Sequence, residues 1–156
     1  MKMFDKVNFE TSQNMQSIPP ILLVEDNPDD VILIQCALED AGIANPLHVV
    51  EDGEKAMAYL SGEGEYGDRD VYPLPRVIFL DLNLPGKSGH DVLEWMAGQE
   101  SLDGIVRVVI TGSDEPADLK RAYERGANSY FRKPLTIEQL TGPGRNLRMV
   151  LCEVSV

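Results

Sequence analysis

Apolar residues in this chain come in short unbroken runs, each halted by a charge or a turn residue, and between the runs they recur at helical spacing. The first run, Ile21-Leu22-Leu23-Val24, consists of β-favouring residues and is stopped by Glu25-Asp26-Asn27-Pro28. It predicts a buried strand that ends in acid. Over 29–41, Val31, Ile34, Leu38 and Ala41 share one helical face and Gly42 stands where a C-terminal cap belongs. This strand-helix pair then repeats. Strand 47–50 is followed by a helix carrying Ala56, Tyr59 and Leu60 and entered through Asp52-Gly53; strand 77–80, stopped by Asp81, is followed by a helix lined by Val92, Leu93 and Met96. Strand 106–110 leads to a helix over 116–125 with Leu119, Ala122 and Tyr123 expected inward. Strand 129–131 leads to a last helix opened by Thr136 and Gln139 in a capping-box pattern.

Strands that are apolar throughout, rather than alternating, are covered on both faces, and their alternation with helices makes the sheet parallel. The expected fold is α/β: a doubly wound, five-stranded parallel sheet of the flavodoxin-like kind, in strand order 2-1-3-4-5. In such sheets functional groups gather at the carboxyl ends of the strands, beside the switch point. Three segments depart from the pattern. Residues 1–18 are polar, lack periodicity and end at Pro19-Pro20, which predicts a flexible leader before one domain over 19–156. Residues 61–75 form a polar stretch with several Gly and Pro, longer than the usual connection, and read as a solvated surface loop, with a partner-binding insertion as the alternative. Gly142-Pro143-Gly144 interrupts the last helix, and beyond it Leu147, Val150, Leu151 and Val154 again share a face, as core cover or as an oligomer seam.

Composition narrows the function. A length of 156 residues, 43% hydrophobic, suits one globular domain. The net charge of -12 argues against nucleic-acid and anionic-membrane partners, which need a basic footprint. The charge is uneven, since half of the 14 Lys/Arg but few of the 26 Asp/Glu lie in 118–156. The two cysteines, Cys36 and Cys152, lack the close spacing of a metal site or redox pair. With neither a signal-peptide core nor an apolar span, cytoplasmic residence is the expectation.

The acids at the strand ends carry the chemistry. The doubly wound order brings Glu25 and Asp26 beside Asp81, and three converging carboxylates repel one another unless a cation sits among them. Hard oxygen ligands with room for a phosphate suit Mg²⁺. Two further strand ends add what phosphoryl chemistry needs: the hydroxyl of Thr111 and the ammonium of Lys133, which is followed by Pro134.

In this set, and over about residues 20–140, the sequence resembles the receiver domains of two-component response regulators. The resemblance implies that Glu25 and Asp26 are the acidic pair, Asp81 the phospho-acceptor, Thr111 the switch hydroxyl, Tyr130 the switch aromatic and Lys133 the lysine before a commonly cis proline. It also gives the Asn83 backbone carbonyl a place in the Mg²⁺ shell. The stretch Leu80-Asp81-Leu82-Asn83-Leu84-Pro85-Gly86 and the turn Ser88-Gly89 resemble the loop after the acceptor. The implied partner is a sensor histidine kinase or a histidine phosphotransfer protein. The implied output face, formed by helix four, strand five and helix five, carries Lys120, Arg121, Arg125, Arg132, Arg145 and Arg148, and with the tail is expected to support a homodimer or partner. No output domain is expected. The long loop before strand three and the C-terminal extension resemble the phytochrome-kinase-associated subgroup, whereas the break at 142–144 departs from it.

Two rival chemistries fit less well. A haloacid-dehalogenase-type phosphatase requires a second acid two residues after its nucleophile, where this chain has Asn83, and an amide cannot shuttle a proton. Gly62-Glu63-Gly64-Glu65-Tyr66-Gly67 satisfies GxGxxG, but it follows a helix and runs into Asp68 and Asp70, the wrong context for a pyrophosphate. A phosphorylation-independent adaptor would have no need of the full set Glu25, Asp26, Asp81, Thr111 and Lys133.

Overall fold

The computed structural model describes residues 18–143 and 146–153. The expected leader up to residue 17, Gly144 of the helix break, Arg145 and Val154 lie outside the described residues.

Five strands form one parallel sheet in the order β2-β1-β3-β4-β5: β1 (Ile21–Val24), β2 (Leu47–Val50), β3 (Val77–Leu80), β4 (Val106–Thr111) and β5 (Ser129–Arg132). This is the expected topology. All four residues of β1 and of β3 are buried, because these strands are flanked by others and covered above and below. Helices α1 (Pro28–Asp40), α2 (Gly53–Ser61), α3 (Gly89–Ala97), α4 (Pro116–Glu124), α5 (Ile137–Thr141) and α6 (Leu147–Glu153) supply the cover. Successive strand residues point to opposite faces. Ile21, Leu23, Val77, Phe79, Val108 and Ile110 thus meet Ile34, Leu38, Leu140, Leu147 and Leu151 on one side. Leu22, Val24, Ile78, Leu80 and Val109 meet Tyr59, Leu60, Val92, Leu93 and Met96 on the other.

Local signals set the helix ends. Asn27 Oδ1 accepts from the Asp29 N–H at 2.9 Å to cap α1, and Asp52 Oδ1 accepts from the Lys55 N–H at 2.7 Å to cap α2. The capping box of Thr136 and Gln139 forms with both bonds in place, at 3.3 and 2.8 Å. A second box, Ser88 with Asp91, starts α3. α5 stops after Thr141 at Gly142, so the last helix is interrupted as expected. Past the break, α6 buries Leu147 and Leu151 against α1 and α5, which settles those two residues as core cover.

One expectation needs correction. Ala122 is fully buried, but Leu119 and Tyr123 are not inward: they are 39% and 47% exposed. α4 lies on the sheet through the methyl of Ala122, and the residues flanking that narrow stripe face solvent. The stretch 61–75 is a mostly exposed surface loop, as expected, and its own side chains anchor it to the fold. Gly62 takes a left-handed φ of 73° to close α2, and Arg69 then turns back over the helix end. Its guanidinium donates to the carbonyls of Tyr59 (2.8 Å), Leu60 (2.9 Å) and Tyr72 (3.1 Å). A short 3₁₀ turn, Gly64–Gly67, brings Tyr66 against Tyr59 and Tyr72, with His48 of β2 closing the cluster. The Tyr59 hydroxyl donates to the Pro73 carbonyl at 2.9 Å and so accepts from His48 Nδ1 at 2.8 Å. Burial pushes this phenol up to about 12. Among the described residues, no helix is long and apolar enough to cross a membrane.

Candidate functional site

Register assembles the site. Val24 pairs with Leu80, so the residues that follow them, Glu25 and Asp81, emerge side by side where β1 and β3 end. Leu80 pairs with Val109, and Thr111 pairs with Arg132, which brings Thr111 and Lys133 to the same edge. Backbone bonds hold these ends in place: the Asp81 N–H donates to the Val24 carbonyl at 3.2 Å, and the Lys133 N–H donates to the Thr111 carbonyl at 2.7 Å. The Lys133-Pro134 peptide is cis. α3 abuts the site directly. A Cβ at Gly89 would lie 2.3 Å from the Asp81 carbonyl oxygen, so only glycine lets the helix start there.

Glu25, Asp26 and Asp81 each offer a carboxylate oxygen within 4.8 Å of the others. Glu25 and Asp81 are buried, whereas Asp26 faces solvent. The Lys133 ammonium contacts Glu25, and donates to Asp81 Oδ2 at 3.0 Å and to Asp30 Oδ2 at 2.8 Å. Burial opposes its charge, but hydrogen bonds to Asp30, Glu25 and Asp81 outweigh this and hold the lysine above its ordinary range. Burial raises the Glu25 carboxyl, opposed by Lys133 and the Asn27 N–H, with the nearby Asp81 charge adding to the rise. One ammonium against Glu25, Asp26, Asp30 and Asp81 leaves a surplus of negative charge. Clustered hard oxygen donors with such a surplus fit a divalent cation of the Mg²⁺ type.

Of the remaining expected residues, Asn83 touches the cluster, whereas the side chains of Thr111 and Tyr130 meet the loop at Ser113. Asn83 is exposed in the loop after Asp81, where its N–H donates to Asp81 Oδ1 at 3.1 Å. Thr111 is fully buried, and its Oγ1 accepts weakly from the Ser113 N–H at 3.4 Å. Tyr130 is half-buried, with its hydroxyl donating to the Ser113 carbonyl at 3.0 Å. Asp30 was not anticipated, because an acid in the first turn of a helix already has an explanation in the helix dipole. Asn27, missed in the same way, caps α1 with its side chain, while its backbone N–H donates to Glu25 Oε2 at 3.2 Å. Of the expected cationic face, Lys120, Arg121 and Arg132 are exposed and Arg125 half-buried, and several pair with acids: Lys120 with Glu124, Arg125 with Glu94 and Arg132 with Asp114. Arg148 belongs elsewhere, since its guanidinium borders Gly42 at the end of α1.

Comparison with known proteins agrees with this arrangement. Residues 21–142 match the family described as response regulator receiver domain. The chain is 39% identical over 127 residues to response regulator Rcp1 of Synechocystis sp. (strain ATCC 27184 / PCC 6803 / Kazusa), covering 80% of this chain and 84% of that protein. The crystal structure of the phosphorylated cyanobacterial phytochrome response regulator RcpA superposes with a TM-score of 0.68 at 36% identity, over 88% of this chain and 89% of that one. The Mn²⁺-bound form of Rcp1 superposes with a TM-score of 0.67, also at 36% identity and with the same coverage. A match over most of the chain, joined to the strand order and the acidic crevice, makes this protein a member of the response-regulator receiver family, similar to the phytochrome-associated regulators.

Proposed function

We propose that the chain is a phosphoryl-accepting switch in which Asp81 takes a phosphoryl group from the phosphohistidine of a sensor histidine kinase or histidine phosphotransfer protein. The observation that carries this reading is the environment of Asp81. The residue is 6% exposed, and its carboxylate clusters with Glu25 and Asp26 and accepts from Lys133, at the strand-end crevice where doubly wound sheets bind ligands.

In the transfer, a carboxylate oxygen of Asp81 attacks phosphorus, the P–N bond to the partner's imidazole breaks, and an O–P bond forms to give an aspartyl phosphate. The leaving imidazole nitrogen keeps the bonding pair. Lys133, held above its ordinary range, stays an ammonium and faces the negative phosphoryl oxygens. Glu25, Asp26, Asp81 and the Asn83 carbonyl would hold Mg²⁺, which supplies further charge neutralisation when bound. The Mn²⁺-bound form of the relative Rcp1 supports a divalent cation here. Catalysis is then positioning and charge balance. Asn83 stands where a phosphatase of this chemistry needs an acid, so the reading is a signalling domain that holds the group rather than an enzyme that turns over substrates.

The Thr111 hydroxyl sits at the end of β4 to bond the new phosphoryl oxygens, and the loop bearing Ser113 carries the change to Tyr130. The receiving surface is the face of α4, β5 and α5. Exposed Leu119 and Tyr123 beside Lys120 and Arg121 support a partner or a second copy docking there. Residence in the cytoplasm, with the kinase, belongs to the same reading.

Incubation with acetyl phosphate, with and without Mg²⁺, read by intact mass, tests the assignment. One phosphoryl group should add only with Mg²⁺, and Asp81→Asn should add none; an adduct on Asp81→Asn rejects it. Light scattering of both phospho-states tests the surface, and identical mass and partner affinity would rule out its use in signalling.

A further inference from the structure

Ser113, two residues past Thr111, is tied into a chain of hydrogen bonds that ends on a histidine. Its hydroxyl donates to Asp118 Oδ2 at 2.7 Å, and its carbonyl accepts the Tyr130 hydroxyl at 3.0 Å. The other oxygen of Asp118, Oδ1, lies 3.4 Å from His90 Nε2. His90 is the second residue of α3 and is buried, while Asp118 lies in the first turn of α4. The chain from His90 through Asp118 and Ser113 to Tyr130 therefore links α3, α4, the loop after β4, and β5.

Burial fixes the form of the imidazole. His90 Nδ1 is buried with no hydrogen-bond partner among the described residues. A neutral ring with its proton on Nε2 donates to Asp118 and leaves only a lone pair unmatched, whereas a charged ring would bury an unmatched N–H as well. Burial holds the imidazole below its ordinary range, Arg121 and Arg125 of α4 act in the same direction, and Asp118 opposes them. From α3 itself, Glu94 is engaged with Arg125 at 3.9 Å. Asp118 is kept ionised first by the Ser113 hydroxyl and then by His90 and Arg121.

We propose that His90 is a positioning residue for Tyr130: by donating to Asp118 it fixes the carboxylate that aims Ser113, whose carbonyl seats the tyrosine against the core. The seat exists before any phosphoryl group arrives. With His90 removed, Asp118 is free to turn to solvent, Ser113 loses its fixed hydroxyl acceptor, and the tyrosine samples outward positions. The consequence for phosphorylation rests on the reading of Asp81 above, since Thr111 and Ser113 share one loop.

Tyrosine labelled with ¹³C at Cζ reads the seat directly in the full chain, with the Tyr130 signal assigned by Tyr130→Phe. Burial, assisted by Asp118 and Asp114 and opposed by Ser113 and Arg132, holds this phenol above its ordinary value of 10.0. In His90→Phe, which keeps the ring's bulk, its titration should shift down toward the ordinary value; in His90→Gln, whose amide can donate to Asp118, it should return. The rate of acetyl phosphate labelling should fall about three- to tenfold in His90→Phe, the effect of losing one such bond, and recover in His90→Gln. Ser113→Ala should do less in the His90→Phe background than alone, because both act through Asp118. If His90→Phe does not fold, Asp118→Ala cuts the same chain from its exposed side and should give the same Tyr130 shift. An unchanged Tyr130 titration in a folded variant, or a His90→Gln indistinguishable from His90→Phe, overturns the proposal. Absence of labelling in the parent would instead reject the reading of Asp81, and the tyrosine titration would still decide the role of His90.

Discussion

Asp30 and Lys133, 103 residues apart in sequence, meet at 2.8 Å, and the same ammonium reaches Asp81 at 3.0 Å. Asp30 is the partly exposed member of the pair, with 28% of its side chain accessible against 16% for Lys133. In the proposed reading, Asp30 is a guide that keeps the lysine over Asp81. Asp30→Asn keeps the shape but weakens the charge-assisted bond, and labelling of Asp81 by acetyl phosphate should slow about threefold to tenfold with little change in thermal midpoint. A rate equal to that of the parent would show that Glu25 and Asp81 suffice to hold Lys133.

Gly89 sets how closely α3 approaches the backbone at the end of β3. Because a Cβ there would meet the Asp81 carbonyl at 2.3 Å and Leu82 Cα at 2.7 Å, both of them backbone, the neighbours have little freedom to give. Gly89→Ala should destabilise the chain by about 1–3 kcal/mol, the usual cost of overpacking, as measured by urea unfolding. Displacement of the Asp81 backbone should also slow its labelling. Full stability in this variant would mean that α3 shifts freely.

Arg69 secures both the end of α2 and the stretch after it. Arg69→Ala removes the guanidinium from the carbonyls of Tyr59, Leu60 and Tyr72, of which Tyr59 keeps the Gly62 N–H at 3.1 Å, so a loss of about 1–3 kcal/mol is expected. Hydrogen exchange should quicken across 61–75 and leave β4 and β5 unchanged. If protection falls evenly over the molecule, the stretch is not a separate unit.

His48 and His90 give stability a common dependence on pH. Burial is the leading cause of a lowered imidazole pKa in both, against an ordinary value of 6.5. Below about 6.5 the unfolded chain takes up protons that the folded chain resists. The stabilisation is thus full above that value and is lost as pH falls through the depressed values. Asp91 and Asp118, also depressed, add a loss of the same sign at lower pH. Urea midpoints should fall between about pH 7.5 and 5.5 in the parent, and less steeply in His48→Asn/His90→Gln. An equal slope in the double variant would remove the histidines as the cause.

The fold was legible because β1 and β3 are buried on both faces, which forces continuous apolar runs, and because Asp52 and Thr136, through which two helices were expected to be entered, cap those helices. The acids and Lys133 were legible because a parallel sheet brings strand ends together without further information. Side-chain partnerships over long separations were not. Nothing local marks Asp30 as the neighbour of Lys133, or Arg69 as the clasp that turns a polar stretch into an anchored one. Helical spacing places Leu119 and Tyr123 on the same side as Ala122, but it does not say how wide a stripe the sheet covers, and here it covers little more than a methyl group.

That narrow contact makes α4 the long helix with least to lose by sliding. Its buried hydrophobic contribution is Ala122 alone, whereas α3 commits Val92, Leu93 and Met96. A rigid-body shift of α4 leaves nearly all of the packed interior untouched, so under the proposed reading a phosphoryl group on Asp81, met by Thr111 at the end of β4, would displace a whole surface without melting the domain.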